Sequence, residues 1–378
     1  MSDIAFLAHR LPYPPDRGDR IRSWHVLKAL AKLAPVHVFA LIDDAEDSAH
    51  IAPVRSVAAS VTVVHRRKSK LAAIGEALLT GQPASVRAFI DDELRAAVTQ
   101  SLPSVDTVYA FSSQMAAYVP DSFKGRFVMD FVDMDSAKFE MMGFAGRQEA
   151  RRLLAWEIAT AKRADVSLFV SSKEAGLFSD KTGLTAQVMG NGIDLAHFAP
   201  KIVAPMDAPA PLIVFTGQMD YAPNIEAVTA FANHTLPAII TAVPGAMFAI
   251  VGRAPTNAVK SLAGPRVIVT GEVPDTRPWL AAATVVVAPL RIARGVQNKV
   301  LEAMAMGKAC VVSSGAARGI DAEDGHDIII SDNPAEAVIA LLTDPSLSAT
   351  IGRNAREKVV ACYSWETQLA RLPEFVGR

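Results

Sequence analysis

The chain reads as an α/β protein of two Rossmann-like βα domains facing a cleft. Short apolar runs alternate with helical stretches from end to end, and most runs are continuous Val/Ile/Phe, as in parallel strands covered on both faces. A proline-dense break at 199–211, APKIVAPMDAPAP, splits that alternation into two sets. The length of 378 residues exceeds the size at which one core keeps growing.

In order, the first set places strands at 4–8, 36–42, 61–64, 107–111, 127–132, 166–170 and 186–189. After the break come 212–216, 247–251, 267–270, 285–289, 309–312 and 328–330. The alternation implies right-handed crossovers and doubly wound sheets, with the cleft as the default ligand site. The expected division is 1–198 for the first domain, 199–211 for the linker and 212–362 for the second. The tail, 363–378, reads as an amphipathic helix with Ser364 as its N-cap and Thr367 in the third position.

Composition narrows the function. Lys plus Arg number 38 against 39 Asp plus Glu, so global charge gives no case for nucleic acid. Cys310 and Cys362 suggest neither a disulfide framework nor a metal cluster. The N-terminus runs straight into a strand, and no apolar run reaches membrane-spanning length. The expectation is a soluble, reduced, cytoplasmic protein.

Residues 289–312, PLRIARGVQNKVLEAMAMGKACVV, carry the strongest chemical signal. They read as a strand end, a glycine-bearing turn, a helix over 296–306, a stop at Gly307 and another buried strand. Lys299 and Glu302 share a face near the helix N-terminus, where unpaired N–H groups and the macrodipole favour an anion. That set suits a nucleotide diphosphate and its ribose hydroxyls. The spacing fits equally well a Lys–Glu surface pair on an ordinary βα unit.

Three other places earn attention. The first strand feeds a stiff loop, HRLPYPPDRGDR, in which Gly18 allows close backbone approach and Arg17, Arg20 and Arg22 supply positive charge. It is neither a GxGxxG fingerprint nor a P-loop, and solvated arginines explain it too. The fifth strand ends in DFVDMDS, with Asp130, Asp133 and Asp135 where the chain emerges into the expected cleft. Capping of the next helix by Asp135 or Ser136 is the plain alternative, and a lone Asp pair argues for no metal. In the second half, Phe215-Thr216-Gly217, Val251-Gly252-Arg253 and Gly271-Glu272-Val273 close successive strands, with Arg253 aimed at the cleft.

These motifs, with Asn298-Lys299-Val300-Leu301-Glu302-Ala303-Met304-Ala305-Met306-Gly307 above all, resemble the retaining glycosyltransferases of family four. Asn191-Gly192-Ile193-Asp194 followed by Phe198 resembles that family's NG[VI]D…F segment. The Ser364-Trp365 tail resembles its C-terminal helix, which crosses back onto the first domain. With the Gly18 loop and DFVDMDS, the chain is most similar to sugar transferases associated with PEP-CTERM/exosortase exopolysaccharide loci.

The resemblance implies the two-Rossmann GT-B fold, a UDP-, GDP- or ADP-sugar donor on the second domain and a glycan or polyprenyl-linked acceptor on the first. Glu302 would hold the donor ribose, while Lys299 and Arg253 neutralise the diphosphate. The Gly18 turn would approach from the facing domain. Gly217 would border the bound nucleotide sugar, and the segment Gly271–Val273, with Val273, would lie against the base. Arg294, Gly295, Val296, Gln297 and Asn298 would border the sugar and diphosphate. No cofactor or metal is expected. Arg294 stands where many members have Glu, and Asp133 where many have His; Asp133 would then orient sugar or acceptor. These departures leave room for a catalytically inactive nucleotide-sugar-binding protein. A nucleotide-sugar epimerase of similar architecture is the rival enzyme.

The densest basic run, with Arg66, Arg67, Lys68 and Lys70, precedes Leu71, Ile74, Leu78 and Leu79 at helical spacing. The pattern suits peripheral contact with anionic lipid. A solvated basic turn with a core-facing stripe suits it as well.

Overall fold

A computed structural model describes residues 3–140, 144–291 and 296–378. The chain divides into two compact units, Met1–Asn191 with Gln368–Arg378, and Gly192–Thr367.

The first unit is built on β1 Asp3–Ala8, β2 Val36–Ile42, β3 Ser60–His65, β4 Val105–Phe111, β5 Arg126–Val132, β6 Val166–Phe169 and β7 Gln187–Val188. They form one sheet in the order β3-β2-β1-β4-β5-β6-β7, every pairing parallel. β1 and β2 are almost wholly buried, whereas the edge strand β3 is partly open to solvent. That contrast is why the inner strands read as unbroken apolar runs. The order reverses between β1 and β4, so the loops after these strands diverge and leave room for a site. Beneath them Phe131, Phe169 and Phe178 pack ring against ring at 4.9–5.7 Å.

The second unit repeats the plan with β8 Leu212–Thr216, β9 Met247–Val251, β10 Val267–Gly271, β11 Val285–Ala288, β12 Ala309–Val312 and β13 Ile329–Ile330. Their order is β10-β9-β8-β11-β12-β13, again all parallel. Here the reversal falls between β8 and β11. Each apolar run read from the sequence is a strand, with ends moved by a residue or two.

Residues 199–211 carry no helix or strand. Just before them, Gly192 lies so close to the backbone of Trp365 that a Cβ would fall 2.6 Å from its nitrogen. The adjacent Ile193 N–H donates to the Tyr363 carbonyl at 2.7 Å. The NGID segment is thus built for close packing. The tail departs from the expected single helix: it forms two short turns, Trp365–Gln368 and Leu372–Phe375. Pro373 has no N–H to continue the first turn and starts the second. Ser364 caps as expected, its hydroxyl accepting from the Thr367 N–H at 3.0 Å.

Cys310 and Cys362 are unbridged. No helix among the described residues is long and apolar enough to cross a membrane.

Candidate functional site

In the second unit the sequence signal becomes a compact constellation at the β8/β11 reversal. β11 leads to the helix Asn298–Ala305, which ends as expected with Gly307 at φ +70°. Its N-cap, Gln297, makes no side-chain capping bond. Lys299, in the first turn, reaches back over the end of β8. Its Nζ donates to Asn224 Oδ1 at 2.7 Å and sits 4.2 Å from the centre of the Phe215 ring. A Cβ on Gly217 would lie 2.8 Å from that Nζ and 2.9 Å from Asn224 Nδ2, so a side chain there would push the ammonium and its amide partner aside. Gly252, at the end of β9, is held as tightly: a Cβ there would meet the Gly217 carbonyl oxygen at 1.7 Å.

Asn224 links the rest. Its Nδ2 donates to the Gln218 carbonyl at 2.8 Å, and Gln218 Oε1 accepts from the exposed Arg253 at 3.2 Å. Lys299, Gly217 and Arg253 are therefore gathered at one place. Glu302 lies one turn along from Lys299. Burial pushes the Glu302 carboxyl up to about 7, against the pull of Lys299. Burial likewise draws the Lys299 ammonium down to about 8, against the pull of Glu302. Two opposite charges on adjacent turns of one helix, each displaced toward neutrality by burial, fit a site that takes a charged ligand. Val273 and Val296 are partly buried against the core of this unit. Gln297 and Asn298 open the helix. Arg294 and Gly295 lie outside the described residues.

The first unit presents its chemistry at the ends of β1, β4 and β5. The Gly18 turn starts the helix Gly18–Ala31, and a Cβ there would meet nothing within 4 Å. No neighbour within the fold demands a glycine at this position. The positive charge expected around it is compensated inside the unit. Arg17 pairs with Asp19 at 2.8 Å and Arg20 with Asp47 at 2.6 Å. Arg22, read as available to a ligand, is instead buried against Asp130. The reason is the depth of Asp130, which is fully buried at the end of β5 and needs a full counter-charge. Burial alone would raise Asp19, yet His9 and Arg17 hold it well below the carboxylate range.

Asp133 follows a strained turn. Its N–H donates to the Phe131 carbonyl at 2.9 Å, closing three residues around Val132, whose φ is +69°. A β-branched residue in that region is a conformational outlier, and such strain clusters where a side chain must be aimed. The Asp130 carboxylate fastens the turn by accepting the Val132 N–H at 3.2 Å. Asp133 and Asp135 share Lys138, at 2.8 and 3.0 Å. Burial disfavours the charge on Lys138, but the two carboxylates outweigh it and raise its pKa.

Neither Asp135 nor Ser136 caps the following helix in the way the sequence suggested. Its first N–H groups go to carboxylates from elsewhere: Met134 to Glu174 at 2.8 Å and Ser136 to Glu157 at 3.0 Å. Glu157 is fully buried, and burial lifts its carboxyl to about 7. Among the described residues, no three His, Cys, Asp or Glu side chains are grouped to hold a metal.

Several participants stand in segments that the sequence marked without giving their side chains a role. Asn224 and Gln218 lie far from Lys299 along the chain, and only the β8 turn motif pointed near them. Thr216, whose hydroxyl is buried without a partner among the described residues, sits in that same motif. His9 pairs with Asp19 at 3.2 Å and stacks on Phe111. Its place at the C-terminal end of the first strand was the available clue.

The fold has known counterparts. Sucrose-phosphate synthase from Thermosynechococcus elongatus superposes with a TM-score of 0.69 at 19% identity, covering 99% of this chain and 98% of that one. Anabaena Alr3699/HepE, solved in complex with UDP, gives 0.69 at 16% identity over the full length of both. The fold is GT-B. Within this GT-B chain, residues 210–344 match the family model of glycosyl transferases group 1. That segment contains Gly217, Arg253, Lys299 and Glu302. A 112-residue stretch is 33% identical to the lipopolysaccharide core biosynthesis mannosyltransferase LpcC of Rhizobium leguminosarum bv. viciae. The match spans 28% of this chain and about a third of that protein, 32%. Residues 210–344 are thus similar to glycosyl transferases group 1, within a chain whose fold is GT-B.

Proposed function

We propose that the protein moves a sugar from a nucleotide-sugar donor to a glycan or lipid-linked acceptor with retention, in exopolysaccharide assembly. The observation that carries the donor half is the Lys299 ammonium, fixed over Gly217 by Asn224 and Phe215 with Glu302 one turn away. A UDP complex and a UDP-glucose complex are known for the HepE relative, which makes UDP the first nucleotide to test.

In this reading the bond between the anomeric carbon and the donor phosphate oxygen breaks, and its electron pair leaves with the nucleoside diphosphate. The acceptor hydroxyl oxygen forms the new bond to that carbon and gives up its proton to the departing phosphate oxygen. Lys299 and Arg253 take up the charge growing on the diphosphate, helped by the N-terminus of the Asn298–Ala305 helix, with no metal needed. Glu302 accepts from the ribose hydroxyls. Val273 packs by the base, and the segment from Arg294 to Asn298 borders the sugar. In the first unit Asp133 orients sugar or acceptor, and Gly18 admits close approach of the ligand. Retention rests on the family resemblance. A role in envelope polysaccharide is in keeping with the LpcC relative.

The test is a thermal-shift screen of UDP, GDP, ADP and their sugar conjugates against wild type and Glu302→Ala. A shift with one nucleotide that disappears in the variant is the expected result; at a hundredfold excess over Kd it corresponds to about 2.7 kcal/mol. No shift with any nucleotide overturns the reading. Product analysis with and without acceptor then separates transfer from epimerisation, and binding without turnover identifies an inactive nucleotide-sugar-binding protein.

A further inference from the structure

The Lys70–Thr80 helix of the first unit is inside out. Leu71, Ile74, Leu78 and Leu79 are 81%, 49%, 67% and 89% exposed, while Ala73 and Ala77 are buried at 2% and 1%. At about 100° per residue the large side chains share one face and the two alanines the opposite one. A helix on a soluble domain ordinarily packs its large apolar side chains inward. The core-facing stripe that the sequence also allowed is therefore overturned: the unit uses the small residues for packing and leaves the leucines outside. Of the ten large apolar side chains exposed among the described residues, four stand on this face, which makes it a patch rather than scatter.

The helix is well anchored. Ser69 caps its start, its hydroxyl accepting from the Ala72 N–H at 3.2 Å, and Gly81 closes its end at φ +73°. Residues 65–90 carry Arg66, Arg67, Lys68, Lys70 and Arg87 against Glu76, and the fold brings Asp43 and Glu149 to the same segment. Arg66 is engaged by Asp43 at 2.6 Å, Lys68 by Glu76 at 2.9 Å and Arg87 by the same Glu76. Arg67 is exposed, with no ion pair among the described residues. An apolar face on a net cationic edge has one complementary surface, an interface that is anionic above and hydrocarbon below. A second copy of the same face would set like charge against like.

We propose that this face seats on an anionic lipid bilayer, with the four apolar side chains entering the headgroup–acyl boundary and Arg67 against the phosphates. Because Arg66, Lys68 and Arg87 are already paired, the leucines supply most of the attraction, and salt weakens it only in part. The inference is independent of the donor site and of the transferase reading.

Flotation with vesicles of phosphatidylcholine and phosphatidylglycerol tests it, using the full chain, Leu71→Gln/Leu78→Gln/Leu79→Gln and Arg67→Glu. All three changed leucines are exposed, so the variants should melt like wild type. The expected result is that wild type floats, that the triple variant loses binding at least about tenfold, and that Arg67→Glu loses less. Wild type that stays unbound at low salt overturns the proposal, as does a triple variant that floats like wild type. So does a wild-type dimer in solution that the triple variant dissociates while neither floats.

Discussion

Arg22 grips Asp130 with two parallel hydrogen bonds, Nε at 3.0 Å and Nη2 at 3.1 Å, and both side chains are buried. The same carboxylate accepts from the Tyr109 hydroxyl at 2.7 Å, and Arg22 Nη1 reaches the Gly190 carbonyl and the Asn191 side chain. One ion pair thus ties the first helix, β4, β5 and the NGID approach together. Removing one partner strands a buried charge, so Asp130→Asn should cost about 3–5 kcal/mol. Arg22→Met/Asp130→Asn should cost less than Arg22→Met and Asp130→Asn added together. Additive losses in a denaturant double-mutant cycle would show that the pair is not coupled.

Val132 offers a test of strain. A valine-to-glycine change inside a strand is normally destabilising, but here glycine relieves a φ of +69°. Val132→Gly should stay within about 1 kcal/mol of wild type in urea unfolding while transfer falls, because Asp133 is no longer aimed. A loss of more than about 2 kcal/mol would mean that the Val132 side chain matters for packing and the turn is not strained.

Lys299 sets a pH dependence. With its ammonium drawn down to about 8 by burial, the group is mostly charged at pH 7 and mostly neutral at pH 9. Nucleoside diphosphate affinity should therefore fall about tenfold across that interval, and Lys299→Met should flatten the profile. A flat wild-type profile by calorimetry would remove Lys299 from the phosphate site.

The inner strands and the Gly307 stop were legible because each is a local consequence of the chain: burial on both faces leaves apolar runs, and the left-handed helix end calls for glycine. Lys299, Arg253 and Gly217 were also readable as strand-end residues. Long-range partners were not. Nothing near Arg22 announces a carboxylate 108 residues away. Periodicity gave Leu71, Ile74 and Leu78 a common face, yet it cannot say which side of a helix the domain occupies. The strain at Val132 leaves no trace in the residue type, since valine is what a strand would choose anyway.

Glu302 should trade stability for binding. Its carboxyl is raised by burial from 4.5 to about 7, so the native state holds a proton that the unfolded chain releases between those values. For a raised acid the sign is unfavourable: stability falls as pH climbs from 4.5 to 7, and the penalty is complete above 7. Glu302→Gln removes the charge and keeps the shape. The variant should thus be more stable than wild type at pH 8 by about 1–3 kcal/mol, with the gap closing as pH falls toward 4.5. Its nucleotide affinity should drop, because the amide is a weaker acceptor for ribose hydroxyls than a carboxylate. Melting both proteins across this range, with and without UDP, reads the two effects together. A variant that is less stable at pH 8 would show that Lys299 stabilises the carboxylate by more than burial penalises it.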